Sequence, residues 1–256
     1  MLNTLKELFH KHWKTLLFFA LCGLVGGFFV GIFSLDSYPE QIREQMLAQG
    51  IDGLILGVVS AVQAAGYGIV LGAIGILLGE KTGLYKGERS LEKKPLIITA
   101  AVAVVCGLSM ILFDLLWFGR LSAPVMESYQ AKPSIPFIIA SLIYGGVIEE
   151  VMLRLFMLTL IVFILFRLFE NGGETPSTKI LVVANILSSV IFAAGHLPAT
   201  AILLGITPLI VFRCFLLSGG IGMLFGWLYH RFGLRYAMIA HAGTHVVSKL
   251  IWILFI

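Results

Sequence analysis

Residues 145–154 read GGVIEEVMLR and place two adjacent carboxylates and an arginine inside a long apolar run. Insertion scales assign a charged side chain at the centre of a membrane helix a cost of about 2.5 to 3.5 kcal/mol. Ionisable residues at that depth are therefore candidates for function. The function of Glu149, Glu150 and Arg154 has to be inferred from the other residues of the chain.

The composition indicates that lipid, not water, surrounds most of this chain. Of its 256 residues, 59% are hydrophobic and only 12% are charged, whereas a soluble domain is about half apolar and a quarter charged. We therefore predict an integral, multi-pass protein of the lipid bilayer. Its three cysteines lie far apart in apolar runs and suggest neither a disulfide framework nor a metal site: Cys22, Cys106 and Cys214.

The apolar runs predict an all-α polytopic helical bundle. Residues 135–169 and 200–229 are longer than one crossing needs, so each is either a tilted, projecting helix or a hairpin. We expect seven or eight transmembrane helices in a single membrane domain, 1–256, with N-terminal helices in 1–134 and a core in 135–250. Shorter runs of spanning length lie at 15–34, 52–79, 96–119, 180–197 and 235–256.

Basic residues predict the orientation of the chain. They precede the first apolar run and recur between residues 80 and 94, where they flank spans and favour the cytosolic side. We therefore expect no nucleic-acid partner, a cytosolic N-terminus and a location in the cell membrane. The run that contains Glu149 would then enter from the outer face. The residues concerned are Lys6, Lys11, Lys14, Lys81, Lys86, Arg89, Lys93 and Lys94.

The spacing of the three charges predicts different roles for the two glutamates. Glu150 and Arg154 are four residues apart on one helix face, in the order that favours an ion pair. Glu149 points elsewhere and has no local partner, so its carboxylate is available to take and return a proton. We predict a structural Glu150 and a reactive Glu149. The alternative is that all three residues only join helices.

Three histidines complete a set of groups that could hydrolyse an amide. His196 ends the stretch FAAGH, and His241 and His245 are spaced to share one helix face in HAGTH, which Lys249 continues. A carboxylate can deprotonate water held beside a histidine, and imidazoles can donate to an oxyanion. Alternatively, a Zn²⁺ ion held by all three histidines would acidify the water.

The ordered motifs resemble those of the CPBP family (CAAX protease and bacteriocin-processing, or abortive infection), and thereby type II CAAX prenyl endopeptidases. The family motifs EExxxR, FxxxH and HxxxN/D correspond here to 149–154, 192–196 and 241–245, so the resemblance spans about 135–250. It implies an intramembrane active site in an endopeptidase that cleaves a membrane-anchored peptide or protein. CAAX tails and bacteriocin or leader peptides are the implied substrates.

The resemblance also implies a role for each site residue. Glu149 and His196 would activate water, and His241 would stabilise the oxyanion with help from His245. Glu150 and Arg154 would hold the site together, with no cofactor required. His245 stands where the family has Asn or Asp, which makes Zn²⁺ a stronger alternative here.

Two other classes of function remain open at this stage. One is a proton-coupled transporter, although the chain shows no internal repeat of the kind that such folds often have. The other is a non-catalytic immunity or partner-binding membrane protein.

A count of helix rise adds an expectation about topology. Glu149 lies roughly 20 Å along its helix from Pro136, toward the cytosolic side of the membrane. If the long helices were unbroken, His196 would not lie near that side with Glu149. We therefore expect residues 135–170 to split into two spans near Arg154, and residues 200–229 to form a hairpin or re-entrant segment.

Overall fold

The structure is a computed structural model that describes residues 2–85, 87, 90–170 and 173–256. Over these residues the chain is helical and without strands, and seven helices are long and apolar enough to cross a membrane. The predicted all-α multi-pass bundle is confirmed, at the lower of the two expected helix counts. The helices are α1 (Leu2–Ser37), α2 (Gly53–Thr82), α3 (Lys93–Leu121), α4 (Ile135–Phe169), α5 (Thr178–Leu204), α6 (Pro208–Phe232) and α7 (Leu234–Phe255).

Helix α4 is one continuous element, so the predicted split near Arg154 is wrong. Its 35 residues extend about 52 Å at 1.5 Å per residue. Two π-helical segments, Ser141–Glu149 and Val151–Leu158, widen the helix around the charged residues without interrupting it. Such segments are frequent at functional sites. The charged side chains find partners on neighbouring helices, and the chain therefore has no need to leave the bundle there.

Residues 200–229 form neither a hairpin nor a re-entrant segment, which corrects the second topological expectation. Helix α5 ends at Leu204, followed by Gly205 with a left-handed φ of 73°. The Thr207 hydroxyl then accepts a hydrogen bond from the Ile210 amide at 3.2 Å, and Pro208 is the first residue of α6. A glycine terminator, a threonine cap and a first-turn proline together end one helix and begin the next.

Two contacts fix the direction of α7. The Glu92 amide donates to the Tyr236 hydroxyl at 2.8 Å, near the start of the helix. The Lys132 ammonium donates to the Ile253 carbonyl at 3.1 Å, near its end. Helix α7 therefore begins on the side where α3 begins and ends on the side where α4 begins. The assignment of those sides to cytosol and exterior stays a prediction. Two residues used for it, Lys86 and Arg89, lie outside the described residues.

Small residues bring α1 and α2 into close contact. A Cβ atom at Gly23 would lie 2.6 Å from the Ala64 carbonyl oxygen, and Gly27 and Gly31 are similarly close to the backbone of α2. Glycines four residues apart let membrane helices approach closely, as in the GxxxG pattern. This pair packs beside α4, whose Leu155 is fully buried.

A buried ion pair fastens α6 to α3 near one end of the bundle. The Arg213 guanidinium donates through Nε to Asp114 Oδ1 at 2.6 Å and through Nη2 to Oδ2. The Tyr129 hydroxyl donates to the same carboxylate at 2.8 Å. Asp114 is only 1% exposed, and this bidentate pairing is what makes a carboxylate acceptable there.

Candidate active site

Glu150 and Arg154 form the ion pair that their spacing predicts. Arg154 Nη1 lies 2.9 Å from Glu150 Oε1, and both side chains are almost completely buried. Arg154 Nη2 donates to the Gly222 carbonyl at 2.9 Å. The guanidinium carbon lies 4.7 Å from the ring centre of Phe192 and 5.6 Å from that of Phe225. Helices α5 and α6 thus supply the surroundings that a charged pair needs when it is removed from water.

Glu150 has a second partner that spacing along α4 does not predict. Its Oε1 atom lies 2.8 Å from Nδ1 of His241 on α7, and the Phe225 ring stacks on the imidazole at 4.7 Å between centroids. An ionised carboxylate only accepts hydrogen bonds, so Nδ1 of His241 carries the proton. Nε2 is consequently the nitrogen with a lone pair when the ring is neutral.

Glu149 is the reachable member of the pair of acids. Its side chain is 21% exposed, and Oε2 lies 3.9 Å from His241 Nε2, whereas Glu150 is 0% exposed. That separation exceeds a hydrogen bond, and polar contacts of this length are commonly bridged by water. The two neighbours on the chain therefore differ as predicted in their pairing: Glu150 is held in an ion pair and Glu149 borders open space beside an imidazole.

His196 reaches the same region although the helices are unbroken. Its Nδ1 lies 2.9 Å from the Phe192 carbonyl oxygen, which can only accept, so Nε2 of the neutral ring has the lone pair. The Phe192 ring is 4.5 Å from the His196 ring and 6.1 Å from the His241 ring. The expectation that unbroken helices misplace His196 is wrong. One aromatic side chain contacts the rings of both motifs.

His241 and His245 face a space that is left open by a glycine of α4. Their ring centroids are 5.0 Å apart. A Cβ atom at Gly145 would lie 3.1 Å from His245 Nε2 and 3.7 Å from His241 Nε2. Both Nε2 atoms therefore point to one place beside the α4 backbone, which any larger residue would fill. The next residue, Gly146, contacts Ala242 closely and brings α4 and α7 together.

Within the described ranges, no three His, Cys, Asp or Glu side chains are placed to bind one ion. The Nδ1 atom of each histidine faces a neighbour: the Phe192 carbonyl, Glu150 and the Lys249 ammonium. The Zn²⁺ alternative at His196, His241 and His245 stays a prediction that metal analysis can test.

Several residues that build the site were not singled out from the sequence. Phe192 and Gly145 stood inside quoted motifs, but only the folded chain shows that one joins two histidines and the other leaves room beside them. No sequence pattern indicated that Gly222 or Phe225 belongs to the site. A Cβ atom at Gly222 would lie 3.0 Å from Arg154 Nη2, so its small size admits the guanidinium.

Comparison with known proteins finds one family to which the segment that carries this site is similar. Residues 131–247 match the family model described as type II CAAX prenyl endopeptidase Rce1-like. The matched segment is just under half of the chain and contains all three motifs. No curated protein and no solved structure matches the chain. The match is consistent with the CPBP resemblance: residues 131–247 are similar to the Rce1-like type II CAAX prenyl endopeptidases, which indicates a protease, and the seven apolar helices indicate a multi-pass membrane protein.

Proposed function

We propose that this protease cleaves a membrane-anchored peptide or protein with a water molecule activated by Glu149. The observation that carries the proposal is the contrast between the two acids. Glu150 is held by Arg154 and His241, while Glu149 is partly exposed, 3.9 Å from His241 Nε2. A general base must reach both the water and the space where the substrate binds, and the partial exposure of Glu149 beside His241 supports that role.

The proposed reaction uses the groups in a fixed order. The Nε2 lone pair of His196 helps to orient a water molecule, and Glu149 takes a proton from that water. The water oxygen then bonds to the scissile carbonyl carbon. The resulting oxyanion accepts a hydrogen bond from His245, and a second from His241 when that ring enters the reaction already protonated. Glu149 then gives its proton to the amide nitrogen, and the carbon–nitrogen bond breaks to leave a carboxylic acid and an amine.

The depth of His241 in α7, unlike that of Glu149 in α4 or of His196 in α5, supports entry from the side on which α7 begins. His241 lies seven residues into that helix, or about 10 Å along it. Under the positive-inside prediction this is the cytosolic side of the cell membrane, and the N-terminus lies on the same side. We propose that the scissile bond enters from the cytosolic half of the bilayer, which suits a CAAX tail or a leader peptide attached to lipid.

Purified protein in liposomes can test this function directly. The substrates are a farnesylated CAAX peptide, the same peptide without the lipid, and a leader-type peptide with a hydrophobic anchor. We expect mass spectrometry to detect a cleaved fragment from an anchored substrate with wild-type protein, and about 10²- to 10⁴-fold less of it with Glu149→Gln. Equal product from both proteins would refute the proposed mechanism. Absence of cleavage for all three peptides would argue against these substrate classes.

Filling the space at Gly145 should block the reaction. The added methyl group of Gly145→Ala would lie 3.1 Å from His245 Nε2, where the substrate carbonyl is proposed to bind. We expect cleavage to fall roughly 100-fold, the loss associated with a misplacement of about 1 Å. The thermal midpoint should change little. Gly66→Ala is the control, because nothing lies within 4 Å of its added Cβ. Equal activity of the two variants would contradict the proposed substrate position.

Metal removal provides a separate test of the water-activation step. Because the proposed base is Glu149 and the proposed oxyanion donors are imidazoles, we expect full cleavage after treatment with EDTA or 1,10-phenanthroline. A zinc protease treated in parallel controls for chelation. Loss of cleavage that Zn²⁺ restores, together with one bound zinc per chain by elemental analysis, would favour the metal alternative instead.

A further inference from the structure

Lys249 is a buried lysine next to the candidate site. It lies one turn after His245 on α7 and is only 6% exposed. Its Nζ atom is 3.4 Å from His245 Nδ1 and 4.3 Å from the ring centre of Phe137. Among the described residues, no carboxylate lies within ion-pair distance of this ammonium. The side chain therefore points inward to an imidazole and an aromatic ring.

The contacts of Lys249 determine which nitrogen of His245 carries a proton. In its ammonium form Lys249 has three donors and no acceptor, so His245 Nδ1 then accepts from it. In the neutral imidazole the single proton then resides on Nε2. The Phe137 ring also contacts Lys249 Nζ, in the geometry of a cation–π contact.

The two histidines of the last motif are thus held in opposite tautomers by partners of opposite charge. Glu150 accepts from Nδ1 of His241, which leaves a lone pair on its Nε2. Lys249 in its ammonium form donates to Nδ1 of His245, 3.4 Å away, which leaves a proton on Nε2 of the neutral ring. Both Nε2 atoms face the space at Gly145. In that space His241 Nε2 therefore accepts a hydrogen bond and His245 Nε2 donates one.

We propose that Lys249 is a positioning residue that keeps His245 in the Nε2–H tautomer, so that His245 donates to the oxyanion of the scissile carbonyl. This inference rests on the proposed function. Lys249 itself acts only through His245. An asparagine at 245 would present an amide donor regardless of Lys249, and this difference provides the basis for the test.

A double-substitution experiment separates positioning from general damage. Lys249→Met keeps an unbranched buried side chain but removes the donor, and we expect kcat to fall by about 10²-fold, as for the loss of one oxyanion donor, with little change in KM. In a His245→Asn background the same substitution should change kcat less than about twofold. Lys179→Met, at an exposed lysine, controls for loss of charge. Equal losses in both backgrounds would overturn the inference.

A spectroscopic readout makes the inference independent of catalysis. Histidine can be labelled with ¹⁵N in Glu149→Gln protein in liposomes, and the His245 signal assigned by its loss in His245→Asn. We expect a protonated Nε2 and an unprotonated Nδ1, with conversion to the other tautomer in Lys249→Met and retention in Lys249→Gln, whose amide can still donate. A protonated Nδ1 in the presence of Lys249 would overturn the inference. The expected tautomer in a chain that cleaves nothing would instead refute only the proposed function.

Discussion

Replacement of Glu149 by glutamine is expected to reduce cleavage by about 10²- to 10⁴-fold, the range that a general base contributes. The amide has nearly the same shape as the carboxylate, but it cannot take a proton from water or return one to the leaving amine. The fold should persist, because Glu149 is 21% exposed and its 3.9 Å contact with His241 is not a hydrogen bond. We expect the thermal midpoint to stay close to that of the wild type.

The measurement is initial cleavage rate in liposomes, together with thermal unfolding in detergent. Glu127→Gln is the matched control, because it makes the same chemical change at an exposed position. Glu150→Gln is the more demanding comparison, since it alters a fully buried carboxylate that holds two partners. We expect Glu149→Gln to lose activity while its stability is unchanged. Glu150→Gln should lose both activity and stability. Wild-type rates for Glu149→Gln would exclude it as the base.

The different surroundings of the two glutamates could be anticipated because they follow from short-range geometry. A helix places Glu150 and Arg154 on one face, and the observed 2.9 Å ion pair follows from that spacing. The composition likewise predicts a membrane bundle, since this much apolar surface is stable only in lipid. These predictions need no knowledge of which helices are neighbours.

What could not be predicted depends on contacts between distant parts of the chain. His241 is 91 residues from Glu150, and no local pattern indicates which acid it would contact. The predicted break in α4 failed for the same reason. It assumed that an unbroken α4 would misplace His196, whereas Phe192 contacts the rings of both His196 and His241. The boundary between α5 and α6, in contrast, could have been predicted from local sequence. Gly205, Thr207 and Pro208 are helix-terminating and helix-starting residues, and they outweigh the continuous hydropathy of this stretch.

Removal of the Arg154 guanidinium should produce the largest loss of stability. Arg154→Met keeps a buried unbranched side chain but leaves Glu150, 0% exposed, without its cation and the Gly222 carbonyl without its donor. Loss of one partner of a buried ion pair typically costs about 3 to 5 kcal/mol. We expect a much lower thermal midpoint in detergent and, because Glu150 also orients His241, loss of cleavage by the fraction that remains folded.

A second substitution distinguishes the stranded charge from the loss of packing. In Glu150→Gln/Arg154→Met the carboxylate becomes a neutral amide whose oxygen can still accept from His241 Nδ1, so the double variant should unfold at a higher temperature than Arg154→Met alone. Such recovery is the signature of two coupled sites. Arg167→Met, on the exposed surface of the same helix, should change the midpoint little, because its cation–π contact with Phe163 is exposed. Two outcomes would show that the buried pair does not hold α4 against α6 and α7. One is that Arg154→Met is as stable as Arg167→Met. The other is that the effects of Glu150→Gln and Arg154→Met on stability simply add.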